Sequence, residues 1–246
     1  MEKKVVLVTG SSSGLGKEII RKFASNDYNC VINYISHENE ALNLKEELEN
    51  KYKIKCLCIK ADVSNDNEVK TMFDTIINEF GKIDVLVNNA AIALDTLFEL
   101  KTKEEFMKTF AVNVYGVFNT SRIFGDFMYK NKNGKIINIA STNGIDTYYE
   151  FSLDYDASKA SVINLTHNLA NHYAPYVNVN CVCPGWILTP MNDNLDNNFT
   201  QKEINKILLK RFAVPEEISP LVYFLSTSDA SYINDSIIRI DGGKKC

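Results

Sequence analysis

Short runs of apolar, mostly β-branched residues recur along the whole chain, separated by longer stretches whose apolar positions repeat every three or four residues. The runs occupy residues 4–8, 30–34, 54–59, 84–87, 135–140, 177–183 and 237–240. Continuous rather than alternating apolar character predicts parallel strands buried on both faces. Between them, Leu15, Ile19, Ile20 and Phe23 fall on one helical stripe, as do Ile218, Leu221, Val222 and Leu225. Pro215, Glu216 and Glu217 suit the first turn of the second of these helices, and Pro220 inside it predicts a kink. Residues 103–130 and 154–174 read as long helices with apolar residues on more than one side, among them Phe106, Phe110, Val117 and Val162, Ile163, Leu169. Such helices must bury a second face, and a symmetric partner offers one. The polar stretch 192–200 predicts a mobile flap before a helix near 203–211. Seven strands alternating with helices predict an α/β fold, a doubly wound parallel sheet with helices on both faces. No repeat, biased tract or linker divides the chain, so residues 1–246 are predicted to form one domain with a flap near 187–212.

Composition narrows the field. Hydrophobic residues make up 45% of the 246 and charged residues 24%, which suits a globular enzyme and excludes a disordered chain. A formal net charge of −4 disfavours nucleic acid or an anionic membrane as partner. No apolar run reaches the length of a signal-peptide core or a membrane span, so a cytoplasmic location is the default expectation. Of six cysteines, Cys56/Cys58 and Cys181/Cys183 have C-x-C spacing. Both pairs lie in strand-like runs, the common zinc spacings are wider, and His37, His167 and His172 add no ligand pattern. They are read as packing residues, with no metal.

Immediately after the first run comes Thr9-Gly10-Ser11-Ser12-Ser13-Gly14-Leu15-Gly16, leading into a helix. Glycines here allow a tight turn and let the backbone approach a pyrophosphate, while the helix N-terminus offers free N–H groups to the anion. This T-G-x-x-x-G-x-G pattern resembles the short-chain dehydrogenase/reductase family. The resemblance continues at Asp62-Val63, at Asn88-Asn89-Ala90-Ala91 (where Ala91 replaces the family's glycine), at Pro184-Gly185 with Ile187 and Thr189, and at Asp241-Gly242-Gly243. It implies a dinucleotide site built from Gly10, Ser12, Ser13, Gly14, Leu15, Gly16, Asn33, Ser36, Asp62, Val63, Asn89, Ala90, Pro184, Gly185, Ile187 and Thr189, together with Tyr155 and Lys159.

Tyr155 and Lys159 form a Y-x-x-x-K pair, which in isolation is an ordinary i,i+4 pair on a helix. Ser141, at the end of the fifth run, and Asn113 upstream complete what resembles the family's Asn-Ser-Tyr-Lys tetrad. Carbonyl reduction needs hydride at carbon and a proton at oxygen, and a free phenol near pKa 10 is a poor acid at working pH. An ammonium ~5 Å away stabilises phenolate by ~3 kcal/mol at an effective dielectric of ~20, about two pKa units. The resemblance further implies that Lys159 bonds the nicotinamide ribose, that Ser141 holds the substrate oxygen, and that Asn113 retains a water linking Lys159 to solvent.

The second run ends Asn33-Tyr34-Ile35-Ser36, without the carboxylate that favours NAD by gripping the ribose, so NADP is the favoured cofactor and NAD the alternative. Ser13 stands where many NADP-dependent relatives carry a basic residue, leaving His37 and Lys17 as substitutes. The C-terminal Arg211-Phe212 and Pro215-Glu216-Glu217-Ile218 are most similar to 3-oxoacyl-carrier-protein reductases, with Lys130 and Lys132 as basic docking residues. The aromatic insert Tyr148, Tyr149 and Phe151 equally suits a sugar, polyol or steroid-type alcohol. A catalytically silent dinucleotide-binding module is the remaining alternative. By resemblance the assembly is a homotetramer.

Overall fold

The computed structural model describes residues 2–192 and 195–243. Strands β1 (Val5–Val8), β2 (Asn29–Tyr34), β3 (Cys56–Lys60), β4 (Val85–Asn88), β5 (Gly134–Ile139), β6 (Val177–Pro184) and β7 (Ile237–Ile240) form one parallel sheet in the order β3-β2-β1-β4-β5-β6-β7. Parallel neighbours require crossovers, and helices supply them: α1 (Gly14–Ala24), α2 (Glu38–Tyr52), α3 (Asp66–Phe80), α4 (Lys103–Phe110), α5 (Gly116–Lys130), α6 (Leu153–Tyr173), α7 (Asn197–Lys206) and α8 (Pro215–Leu225).

The two-residue period of a strand divides the core in two. Val6 and Val8 of β1 pack with Ile19, Phe23, Leu44 and Val222 of α1, α2 and α8. Val5 and Leu7 face the other way, toward Met72, Phe124, Met128 and Leu169 of α3, α5 and α6. Each side chain of this size contributes about 1.5–3 kcal/mol when fully buried, which is why these runs carry no polar alternation. The direction of strand progression reverses between β1 and β4, and in such sheets the crevice beyond the strands' C-terminal ends is where ligands bind.

Three expectations need correction. The helix placed near 203–211 runs from Asn197 to Lys206 instead. The Asp196 side chain accepts the N–H groups of Asn198 and Phe199 and starts it, while Lys210 adopts a left-handed φ of 57° beyond its end. The segment 207–209 turns back on the C-terminal glycines, Leu208 and Leu209 donating to the carbonyls of Gly243 and Gly242. Of the predicted flap, residues 193 and 194 lie outside the described residues. Second, 103–130 is not one α-helix: a π-turn, Ala111–Tyr115, interrupts it at Asn113. Third, Lys130 ends α5 and Lys132 lies in the turn that leads from it into the start of β5. Helices run antiparallel to their strands here, so both lysines sit at the opposite end of the sheet from the crevice. Pro220 remains inside α8, giving up one N–H of the helix ladder.

Candidate active site

A cleft of about 390 Å³ opens at the C-terminal ends of the strands. The first turn of α1 forms one wall. Gly10 and Gly14 have φ of +62° and +54°, a conformation that L side chains resist. Gly16 is required for a different reason: a Cβ there would lie 2.5 Å from the Gly10 carbonyl oxygen and 2.6 Å from Asn89 Nδ2. The Ser13 side chain does not cap α1, and its first turn holds no acidic residue. The positive end of the helix is therefore available to an anion.

Buried amides brace this turn. Asn33 is 1% exposed; its Oδ1 accepts the Gly10 N–H at 3.0 Å, and its Nδ2 donates to the Ala61 and Ile59 carbonyls at 2.9 and 3.4 Å. Thr9 Oγ1 accepts the backbone N–H groups of Asn89 and Ala90, while Asn89 Nδ2 donates to the Thr9 and Gly10 carbonyls. Asn88 donates to Asn138 and Ser121 and accepts from Thr120. The Asn-Asn-Ala-Ala turn thus locks β4 to β1.

Ser141, Tyr155 and Lys159 meet at the other end of the cleft. Lys159 is 3% exposed; its Nζ donates to the Ile139 carbonyl at 2.8 Å and lies 5.4 Å from the centre of the Tyr155 ring. Burial lowers the Lys159 pKa to about 8. Burial raises that of Tyr155 well above the ordinary phenol value, Asp156 adds to the rise, and the Ser141 side chain draws it part of the way back. The expected lowering of the phenol by its lysine is therefore outweighed by desolvation.

Asp156 organises the loop facing these groups. Its carboxylate accepts from Asn143 Nδ2 at 2.7 Å and from the Tyr149 backbone N–H at 2.8 Å. Tyr149 then joins an aromatic cluster with Phe151, Trp186 and Phe199, and Trp186 stacks on Phe212 at 5.5 Å. Trp186 Nε1 donates to the buried carboxylate of Glu203 at 3.0 Å. These contacts anchor α7 over the cleft through Phe199 and Glu203, more firmly than its polar sequence implies. On the far side, the buried carboxylate of Asp154 takes Thr109 at 2.7 Å and pairs with Lys101 at 3.1 Å.

Of the residues singled out in the sequence, Gly10, Ser12, Ser13, Gly14, Leu15, Gly16, Asn33, Ser36, Val63, Asn89, Ala90, Ser141, Tyr155, Lys159, Pro184, Gly185, Ile187 and Thr189 line this one cleft. Asp62 does not. Its Oδ1 accepts the backbone N–H and the hydroxyl of Ser64. Asn113 does not line it either. It is fully buried, its Oδ1 accepts the Ile92 N–H, and both amide hydrogens are spent, on the Ile92 carbonyl and Ser158 Oγ. Ser158 in turn donates to the Tyr155 carbonyl at 2.6 Å, so the Asn113 side chain braces the Tyr155 turn. Trp186, Asp95, Asn143 and Met191 line the cleft without having been singled out. Trp186 had a signal, since it directly follows the Pro184-Gly185 pair.

A family model for short chain dehydrogenases matches residues 4–199. The chain is 35% identical over 244 residues to a 3-oxoacyl-[acyl-carrier-protein] reductase, FabG, of Thermotoga maritima, covering 99% of this chain and 98% of the relative. It is 36% identical over 244 residues to the FabG of Aquifex aeolicus, with the same coverage. Among solved structures, L-sorbose reductase from Gluconobacter frateurii, complexed with NADPH and L-sorbose, superposes with a TM-score of 0.91 at 26% identity, covering 99% of this chain and 97% of that one. The chain belongs to the short-chain dehydrogenase family and is a nicotinamide-dependent oxidoreductase acting between alcohol and carbonyl groups.

Proposed function

We propose that the chain reduces a 3-oxoacyl thioester with NADPH, Tyr155 delivering the proton and Ser141 holding the carbonyl oxygen. The observation that carries this reading is the convergence of Ser141, Tyr155 and a buried Lys159 at one end of a cleft whose other end is a glycine turn no side chain fits. The Gly10–Gly16 turn would hold the pyrophosphate, Asn33 and Ser36 flank the adenosine end, and Pro184, Gly185, Ile187 and Thr189 would support the nicotinamide. The cofactor supplies the hydride. Lys159 would bond the nicotinamide ribose and keep its positive charge beside the phenol. Thioester specificity draws its support from the FabG relatives.

A second reading, reduction of a sugar or polyol, is favoured by the chamber itself. Trp186 and Tyr149 form an aromatic wall and Asp95 adds a carboxylate, the combination that suits a hydroxylated substrate, and L-sorbose reductase is a structural neighbour. A panel of 3-oxoacyl thioesters and hydroxyketones, each with NADPH and NADH, separates the two. The first reading expects higher kcat/KM for the thioester with NADPH, and hydroxyketone preference overturns it. Tyr155→Phe should lower turnover by ~10²–10⁴ while cofactor still binds. More than about a tenth of wild-type turnover would remove Tyr155 from its role. Cofactor binding without turnover on any substrate would favour a silent module.

We further read the chain as one domain, with 187–212 opening as a flap, and as a cytoplasmic homotetramer. Among the described residues no helix is long and apolar enough to cross a membrane. The half-exposed Met107, Tyr115 and Phe118 of α4, the π-turn and α5 lie beside α6 on a shallow apolar groove, which a second copy would cover. A monomer mass by light scattering at micromolar concentration would refute the assembly.

A further inference from the structure

We propose that Trp186 is a specificity-determining residue, a fixed wall that limits the acyl tail of the substrate to a short chain. The inference rests on the thioester reading above and concerns which 3-oxoacyl groups the chamber admits. Trp186 directly follows the Pro184-Gly185 pair beyond β6 and lines the cleft together with Ser141, Tyr149 and Tyr155. A 3-oxoacyl thioester has one arm on each side of the reacting carbonyl. The thioester arm carries the bulky group and must leave where the lining is exposed, as at Asp95 and Met191. The acyl tail is left with the enclosed side. There the cleft ends on Trp186, and the residues behind the ring, Phe212 and Glu203, are each 5% exposed.

The indole is clamped from several directions. It stacks on Phe212, with centroids 5.5 Å apart and 17° between the planes. Tyr149 and Phe199 meet it edge to face at 5.8 and 5.7 Å, the geometry that aromatic quadrupoles favour. Nε1 donates to Glu203 Oε2 at 3.0 Å, while Lys206 Nζ donates to the other oxygen of that carboxylate at 2.7 Å. The neighbours are themselves tied down. Tyr149 is held through its backbone N–H on Asp156, and the Phe199 N–H is held by the Asp196 cap of α7.

A longer tail could be admitted only if the indole swung off Phe212 and Glu203. That movement breaks a hydrogen bond to a charged acceptor and leaves a buried carboxylate without that donor, the expensive kind of loss. Tails that reach the wall therefore meet resistance with each added methylene, in place of the gain that burying a methylene ordinarily brings.

The test uses N-acetylcysteamine thioesters of the four-, eight- and twelve-carbon 3-oxo acids, with NADPH oxidation as the readout. In the wild type, kcat/KM should fall at least tenfold from the four- to the twelve-carbon substrate. Trp186→Ala should raise the twelve- to four-carbon ratio of kcat/KM at least tenfold. Glu203→Leu removes the acceptor of Nε1 but keeps the ring, so it should raise the same ratio by a smaller factor, and it carries the test should Trp186→Ala not fold. Trp186 is the only tryptophan, so acrylamide quenching of its fluorescence should increase in Glu203→Leu as the ring loosens. A wild type that reduces the twelve-carbon thioester as well as the four-carbon one would overturn the proposal, as would a ratio that neither substitution changes. If neither the wild type nor the variants reduce any thioester yet all reduce a hydroxyketone, the thioester reading itself falls.

Discussion

Replacing Asn33 by Asp separates two accounts of this residue. From the sequence, Asn33 ends the second strand where a carboxylate would grip the ribose, so the substitution should shift preference from NADP toward NAD. The structure gives Asn33 a different task. Its amide nitrogen donates to the Ala61 carbonyl at 2.9 Å and to the Ile59 carbonyl at 3.4 Å, and the residue is 1% exposed. An aspartate keeps the acceptor for the Gly10 N–H but turns its second oxygen on two carbonyl oxygens. Two net hydrogen bonds are lost, at about 1 kcal/mol each, and a buried carboxylate without a donor on that side costs about 1–3 kcal/mol more. The total, about 3–5 kcal/mol, is a large part of the 5–15 kcal/mol that typically holds a domain together.

The pH dependence of this loss is diagnostic. Burial against carbonyl oxygens raises the carboxyl's folded pKa above its unfolded value of ~3.9. The folded state then binds more protons, so stability falls as pH rises from ~3.9 through the folded pKa. Urea denaturation of wild type and Asn33→Asp at pH 5 and pH 8 should show the larger deficit at pH 8. A deficit below about 1 kcal/mol at both, accompanied by a tenfold swing in cofactor preference, would show that Asn33 faces the ribose and that the brace is unimportant.

The other expectations are simpler. Gly16→Ala forces a methyl within 2.5 Å of the Gly10 oxygen; cofactor Kd measured by Trp186 fluorescence should rise at least tenfold, and an unchanged Kd would remove the turn from the site. Because burial sets the Lys159 pKa near 8, reductive kcat at saturating cofactor should decline above about pH 8, and Lys159→Arg should remove that decline; a flat wild-type profile to pH 10 would contradict the charge assignment. Asp156→Asn exchanges an acceptor of the Tyr149 N–H and the Asn143 amide for one with a competing donor, so KM should rise more than kcat falls; equal loss of both cofactor and substrate affinity would instead indicate general unfolding.

The sheet was legible because strands buried on both faces leave continuous apolar runs, and the glycine turn because only glycine fits there. Ser141, Tyr155 and Lys159 were legible through their order and spacing. Where the structure departs from the pattern, the cause is side-chain partners that carry no periodic signal. Asn113 looked like a helix-interior amide, but a π-turn rotates it onto Ile92 and Ser158. Asp62 matched a motif, yet the hydroxyl two residues on captures its carboxylate. The start of α7 was missed because Asn197 and Asn198 read as loop, whereas Asp196 supplies the cap. Lys130 and Lys132 were misplaced because charge gives no information about which end of a sheet a helix reaches.

The Tyr155–Lys159 pair also reconciles two opposed arguments about acidity. Sequence spacing alone gave the phenol a neighbouring ammonium and hence a lowered pKa, whereas in the folded chain burial lifts Tyr155 and depresses Lys159. Below about pH 8 the resting pair is then a neutral phenol beside an ammonium, the form that donates a proton to a carbonyl oxygen. The charge on Lys159 does little for a neutral phenol. Once the proton leaves, a phenolate forms at roughly the 5.4 Å separation of ammonium and ring, and at an effective dielectric of ~20 the attraction is about 3 kcal/mol. That attraction grows with the charge developing during transfer and is nearly absent before it, so it lowers the barrier rather than the ground state. Burial therefore does not defeat the lysine's purpose. It keeps the phenol protonated until substrate is present, and confines the lysine's contribution to the step in which the proton moves.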